Sequence, residues 1–198
     1  MVFEFLKLNK NVTDAEFDTI YPENLKKIGP VHWTPVEVAR EAAEFLTDMN
    51  GPKILDIGSG AGKFCLIGAA LSKANFTGVE LRTELYKVSK RIAKCYGLPN
   101  AKFINSNITD IDFKNYNAFY YFNPFYENIE KTNIIDDTVE LKTQNFNIYT
   151  RYVKEQLENM PNGTRLVTYW SSVKDVPLNY TLRAESMNGL LEMWEKTF

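Results

Sequence analysis

The chain reads as an α/β protein built on a doubly wound, mostly parallel sheet. Two observations predict it. Between Lys53 and Trp170, short apolar runs alternate with amphipathic helical stretches, as parallel strands covered by helices on both faces require. The first run ends in a glycine-rich turn, Asp56-Ile57-Gly58-Ser59-Gly60-Ala61-Gly62, that leads straight into a helical stretch. Glycine costs backbone entropy, so three within five residues mark a sharp bend or a close approach.

The elements follow in order. Between Asp14 and Ile28 the residues Phe17, Ile20, Tyr21, Leu25 and Ile28 recur at near-helical spacing, broken at Pro22. Two short helices are predicted there, closed by Gly29-Pro30. Thr34-Pro35-Val36-Glu37 is a helix start, with Thr34 as cap, Pro35 at the first helical position and Glu37 completing a capping box. That helix is expected to reach about Met49, with Val38, Ala42, Phe45, Leu46 and Met49 inward. Strands are predicted at 53–57, 75–80, 101–105, 118–122 and 165–170. Helices are predicted at 62–73, 85–96 and 141–160, with a turn near 127–131. Two further runs, 178–184 and 189–196, read as an antiparallel hairpin at the sheet edge and bring the sheet to seven strands.

Composition limits the function classes. An apolar share of 44% and an aromatic share of 14% suit a packed core over 198 residues and oppose disorder. With 23 Lys and Arg against 25 Asp and Glu, the net charge is -2, and no basic run announces a nucleic-acid binder. Cys65 and Cys95 fall in apolar helical patterns and read as reduced core residues, neither disulfide nor metal ligands. The N-terminal MVFEFLKLNK lacks the basic head and long apolar core of a signal peptide. No apolar run approaches the roughly 18 residues that a membrane span needs. A cytoplasmic chain with no metal site is expected.

A doubly wound sheet binds its ligand outside the carboxyl ends of the strands, where strand order reverses. The glycine turn lies at such an end, before a helix N-terminus that favours an anion. A dinucleotide fingerprint fails, because the sixth position counted from Gly58 is Lys63. A phosphate loop fails as well, because Gly62-Lys63-Phe64 lacks the hydroxyl that holds magnesium. The pattern Asp-x-Gly-x-Gly-x-Gly is matched in full by Asp56, Gly58, Gly60 and Gly62. Here the chain resembles the class I S-adenosylmethionine-dependent methyltransferases, whose domain is Rossmann-like. A second landmark agrees. The second strand ends in Glu80, about 20 residues past the turn, where an acid receives ribose hydroxyls. Methyltransferases often place an acid after the third strand, beside the adenine amine; this chain offers Asn107, whose side-chain oxygen can accept the same bond. The resemblance implies an S-adenosyl-L-methionine site that also takes in Ser59, Leu81 and Ile108. It covers about residues 34–170.

The fourth strand ends in Tyr121-Phe122-Asn123-Pro124-Phe125-Tyr126. Asn-Pro can simply open a turn. The segment also resembles the Asn-Pro-Pro-Tyr motif of methyltransferases that modify planar amino groups, with Phe125 in place of the second proline. Such a nitrogen has its lone pair tied up in resonance. The Asn123 side-chain oxygen and the Pro124 carbonyl can bind its two hydrogens and free the lone pair, while Phe125 or Tyr126 stacks on the planar group. Asn123 would touch the cofactor as well. His32-Trp33-Thr34-Pro35 resembles the Thr-Pro segment that precedes the glycine turn in some amino-methyltransferases, which would lay Trp33 and Thr34 against the cofactor. His32, the only histidine, is given no role. The chain is read as one domain, 1–198, with 1–50 a helical cap over the cofactor side. The acidic balance favours a protein side chain or small molecule as methyl acceptor over nucleic-acid adenine. The remaining alternative is a non-catalytic cofactor-binding module, marked by Phe125 or Trp33 filling the substrate space.

Overall fold

The computed structural model describes residues 2–198; Met1, the first residue of the expected domain, lies outside it. In chain order the elements are α1 (Val2–Lys7), α2 (Asp14–Phe17), α3 (Glu23–His32), α4 (Val36–Thr47), β1 (Lys53–Ile57), α5 (Lys63–Leu71), β2 (Asn75–Glu80), α6 (Thr83–Cys95), β3 (Ala101–Asn105), β4 (Ala118–Tyr121), α7 (Thr143–Glu158), β5 (Arg165–Tyr169), β6 (Tyr180–Ser186) and β7 (Leu191–Lys196). The seven strands form one sheet in the order β3-β2-β1-β4-β5-β7-β6. β1 pairs in parallel with β2 and β4, β2 with β3, and β4 with β5. β7 runs antiparallel to β5 and β6. This is the doubly wound sheet with an edge hairpin that the alternation predicts. Strand order reverses at β1, so the carboxyl ends of β1 and β4 flank the crevice where such sheets bind ligands.

The strand sequences are near-continuous apolar runs because both sheet faces are covered. Successive residues feed opposite faces. Ile54, Ala118 and Tyr120 join one core with α1, α4 and α5. Leu55, Ile57, Phe119 and Tyr121 join a second core with Val153 and Leu157 of α7. α5 is apolar around its whole circumference and buried over Lys63–Ala70, as a helix enclosed on all sides must be. Its Phe64 stacks on Tyr120 with ring centroids 4.0 Å apart. Each such side chain contributes roughly 1.5–3 kcal/mol by leaving water.

Several local expectations need correction. α4 starts at Val36, with Pro35 in the cap position and no side-chain cap. Thr34 does not cap; its hydroxyl hydrogen-bonds the Tyr120 hydroxyl at 3.1 Å. The orphan N–H of Val36 donates instead to Asp14 Oδ1 at 2.8 Å, a cap supplied from 22 residues upstream. The capping box lies at Thr13 and Glu16, before α2. α3 runs through Gly29-Pro30 to His32. Gly29 has no Cβ to clash with the following proline ring, so the helix continues past Pro30 at the cost of the one backbone bond that Pro30 cannot donate to the Lys26 carbonyl. Cys65 is buried, but Cys95 is exposed, because it ends α6 on the solvent side. α1 had no sequence prediction; it buries Phe3 and Leu6 against α5. Among the described residues, no helix is long and apolar enough to cross a membrane. Nor does any group of three or more His, Cys, Asp or Glu among them form a metal site.

Candidate active site

A cavity of about 250 Å³ opens at the carboxyl ends of β1, β2 and β4. The glycine turn forms its floor, and each glycine meets a different neighbour. Gly58 has φ +73, and a Cβ there would lie 2.4 Å from Pro124 Cβ. It lets the turn after β4 pack directly on the turn after β1. Gly60 has φ +55, and a Cβ there would lie 2.7 Å from Trp33 Cζ3. The space above Gly60 is thus filled by an indole, itself pinned by a 3.2 Å bond from Nε1 to the Leu25 carbonyl. Gly58, Gly60 and Trp33 line the cavity.

Glu80 is the polar centre of the cavity wall and is 7% exposed. Its Oε2 accepts the Gly60 N–H at 2.9 Å and its Oε1 the Arg82 N–H at 2.7 Å. Burial pushes the carboxyl above its ordinary value, opposed by those two N–H groups and the Arg82 charge. The carboxylate is therefore oriented from behind by backbone, with its remaining lone pairs free for a ligand diol. Leu81 and Ile108 also line the cavity and provide apolar flanks.

Asn107 lines the cavity too, but its oxygen is not free to receive an adenine amine. It accepts both the N–H and the hydroxyl of Thr109, at 3.1 and 3.0 Å, capping the short turn Ile108–Asp110. Its Nδ2 donates to the Tyr149 hydroxyl at 3.1 Å. Thr34, Asp56, Ser59 and Gly62 are absent from the cavity lining. Thr34 is spent on Tyr120, as above. Asp56 is 3% exposed and accepts the Cys65 thiol at 3.4 Å; burial pushes its carboxyl up to about 7. Ser59 donates its N–H to the Val79 carbonyl at 2.9 Å and packs its side chain over Gly78. Gly62 is a packing glycine, since a Cβ there would sit 2.6 Å from Phe103 and 2.7 Å from Ser89.

The turn after β4 supplies the opposite wall. Asn123, Pro124, Phe125 and Tyr126 all line the cavity. Asn123 holds φ +39, a left-handed conformation that costs about 1–3 kcal/mol outside glycine. Among the described residues, neither its side-chain amide nor the Pro124 carbonyl has a hydrogen-bond partner. Phe125 is 8% exposed, with its ring 6.0 Å from Tyr121 and 5.3 Å from Tyr149. It anchors the turn in the second core. Tyr126, 47% exposed, is the aromatic ring left free to stack.

Sequence reasoning missed several wall residues. Tyr149 comes from α7, and Phe122, Arg82 and Glu127 also face the cavity. Only the spacing of Tyr149 beside the apolar face of α7 hinted at any of them. His32 lines the cavity as well. Burial lowers its imidazole pKa, opposed by the Glu127 carboxylate.

Residues 48–192 match the family model described as a methyltransferase domain. No curated protein sequence matches. Solved structures are similar at low identity. An RNA methyltransferase from Salinibacter ruber, in complex with S-adenosyl-L-homocysteine, has 17% identity and a TM-score of 0.57. The similarity covers 83% of this chain and 93% of that one. The putative methyltransferase YhhF from Escherichia coli has 16% identity and a TM-score of 0.58, over 82% and 87% of the two chains. TrmN from Thermus thermophilus has 15% identity and a TM-score of 0.58, over 85% and 50%. With the family model spanning most of its length and β1, β2 and β4 framing the glycine-floored cavity, the chain belongs to the methyltransferase-domain family, in its class I S-adenosylmethionine-dependent fold.

Proposed function

We propose that the chain uses S-adenosyl-L-methionine to methylate a planar nitrogen of a protein side chain or small molecule. One observation carries the reading. Asn123 and Pro124 line the same cavity, and their two acceptors, the Asn123 amide oxygen and the Pro124 carbonyl, stand without partners among the described residues. A planar amino group presents two hydrogens, and such a pair can take both. Holding them draws the nitrogen lone pair out of resonance and aims it. The exposed Tyr126 ring can stack on the acceptor's flat face. Alignment of this kind supplies much of a transfer rate, because it removes orientational entropy before reaction.

The residues present fit the cofactor. The backbone-oriented Glu80 carboxylate suits a ribose diol, and Leu81 and Ile108 suit a purine's faces. When bound, S-adenosylmethionine supplies an electrophilic methyl on a sulfonium. The alkylated nitrogen loses its proton readily, so the site needs no strong base. Residues 2–50 serve as a cap over this side, and Trp33 is their contact with the glycine turn. Trp33 packs on Gly60, yet Asn123 still lines an open cavity, which favours an enzyme over a blocked binding module. We place it in the cytoplasm, in keeping with two free cysteines.

The test is methyl transfer from labelled S-adenosylmethionine into a fractionated lysate. Label in protein or small-molecule fractions on nitrogen is expected. Label in nucleic acid would move the acceptor to adenine, and label on carbon or oxygen would overturn the role given to Asn123 and Pro124.

A further inference from the structure

The connection between β4 and α7, residues 122–142, carries all four candidate catalytic residues. It holds a single helical turn, Tyr126–Asn128. Connections this long without regular structure are uncommon in compact domains and are usually functional. It also opens on Asn123 in the left-handed region, a conformation that lasts only where neighbours enforce it. Something must therefore hold the segment, and the largest buried polar contact on it is made by Arg82.

Arg82 lies two residues past Glu80, with its side chain 8% exposed. Its Nη1 and Nη2 donate to Glu127 Oε2 and Oε1 at 3.1 and 3.2 Å. Its Nε donates to Asp136 Oδ1 at 2.9 Å. Each carboxylate then orders more of the segment. Glu127 accepts the Ile135 N–H at 2.7 Å, and Asp136 accepts the Thr138 N–H at 3.0 Å. The Arg82 backbone N–H meanwhile donates to Glu80 at 2.7 Å. One residue thus joins the carboxylate expected to hold ribose, through its backbone, to the acceptor turn, through its side chain.

We propose that Arg82 is the positioning residue of the methyl transfer: its guanidinium, gripped by Glu127 and Asp136, fixes the Asn123–Tyr126 turn at a set distance from Glu80. This rests on the N-methyl transfer reading above. The chemistry explains the residue type. A guanidinium offers a planar fork that meets a carboxylate with two parallel bonds and still has Nε for a second partner; an ammonium offers a point charge. With Arg82 gone, Glu127 is a largely buried, unpaired carboxylate that must move toward water, taking the turn with it.

The test uses the full chain and four variants: Arg82→Lys, Arg82→Gln, Glu127→Gln and the double Arg82→Gln/Glu127→Gln. Three readouts are taken: affinity for S-adenosylmethionine by calorimetry, amide exchange by mass spectrometry, and turnover and KM with the acceptor isolated from the labelled lysate fraction. In Arg82→Lys and Glu127→Gln we expect cofactor Kd within about threefold, because the backbone N–H to Glu80 survives. Exchange over 124–138 should rise about tenfold or more while β1 and β5 stay protected. Turnover should fall about a hundredfold at nearly constant KM, as expected for an acceptor bound but displaced by about 1 Å. The double variant should cost no more than the worse single one, since both break one contact. A general structural role would instead lower protection throughout and move Kd, KM and turnover together; that pattern overturns the proposal. Wild-type exchange and turnover in both Arg82→Lys and Glu127→Gln overturn it equally. These two variants decide the matter if Arg82→Gln does not fold. If no planar amine is methylated even by the unaltered chain, the N-methyl reading fails; loosened exchange over 124–138 at constant cofactor Kd would still support the clamp.

Discussion

Replacing Glu80 by alanine removes a carboxylate that works in two directions. Toward the protein, the N–H groups of Gly60 and Arg82, at 2.9 and 2.7 Å, lose their acceptor. A buried donor left unpaired costs about 1–3 kcal/mol. Part of that returns, because burial already holds the Glu80 carboxyl above its ordinary value and the variant buries no charge. A net loss of roughly 1–3 kcal/mol lowers Tm by about 2–12 °C at about 2–4 °C per kcal/mol. Toward the ligand, two diol hydroxyls lose a charged acceptor. At about 1.5–3 kcal/mol for each bond, the loss is at least about 3 kcal/mol, or more than a hundredfold in Kd. Thermal melting by circular dichroism gives the first quantity and calorimetry with S-adenosylmethionine and S-adenosylhomocysteine the second. A lowered Tm with an unchanged Kd would refute the ribose role and leave Glu80 as a staple between two turns.

Further predictions concern the turn and its neighbours. Gly60→Ala forces a Cβ to within 2.7 Å of Trp33 at φ +55; we expect a loss of about 2–5 kcal/mol and a displaced Trp33, and a wild-type Tm would contradict it. Gly62→Ala meets Phe103 and Ser89 instead, so it should lower Tm comparably while the folded fraction keeps its cofactor affinity. Asp56 titrates near 7 in the fold because of burial, against about 3.9 in the unfolded chain. The folded chain holds a proton that the unfolded chain has released, so this contribution to stability is lost as pH rises from about 4 to about 7. Asp56→Asn stays neutral throughout, and the gap between its Tm and that of the unaltered chain should widen across that window and level off above it. Parallel melting curves would refute the perturbed carboxyl.

The sheet was legible because β1, β2 and β3 are short apolar runs between turn signals, and the predicted bounds 53–57, 75–80 and 101–105 match them. The alternation with helices and the handedness of crossovers announce a parallel, doubly wound sheet, but they do not fix the strand order β3-β2-β1-β4-β5-β7-β6, because other doubly wound orders obey the same rules. What escaped the sequence is non-local. Thr34-Pro35-Val36-Glu37 has every local mark of a capping box, yet Asp14 fills the cap and Thr34 turns to Tyr120. The same Asp14 oxygen takes the Lys63 ammonium at 2.7 Å, with Asp18 its second partner. No periodicity announces partners so far apart in the chain. The glycines were read correctly as close approaches, but their neighbours are Pro124, Trp33 and Phe103, each set by tertiary packing. Asn107 illustrates the other failure: position put it in the wall, while a local turn claimed its oxygen.

The most direct measurement compares Asn123→Ala with the unaltered chain, in single-turnover methyl transfer and in cofactor Kd. With its side-chain oxygen aimed at a substrate hydrogen, the rate should fall about a hundred- to a thousandfold, as for loss of one well-placed transition-state contact. Cofactor Kd should stay within a few-fold, and Asn123→Asp, which keeps an acceptor, should retain more activity than alanine. An alanine variant that transfers methyl at the normal rate, or that loses the cofactor instead, would contradict the role assigned to Asn123.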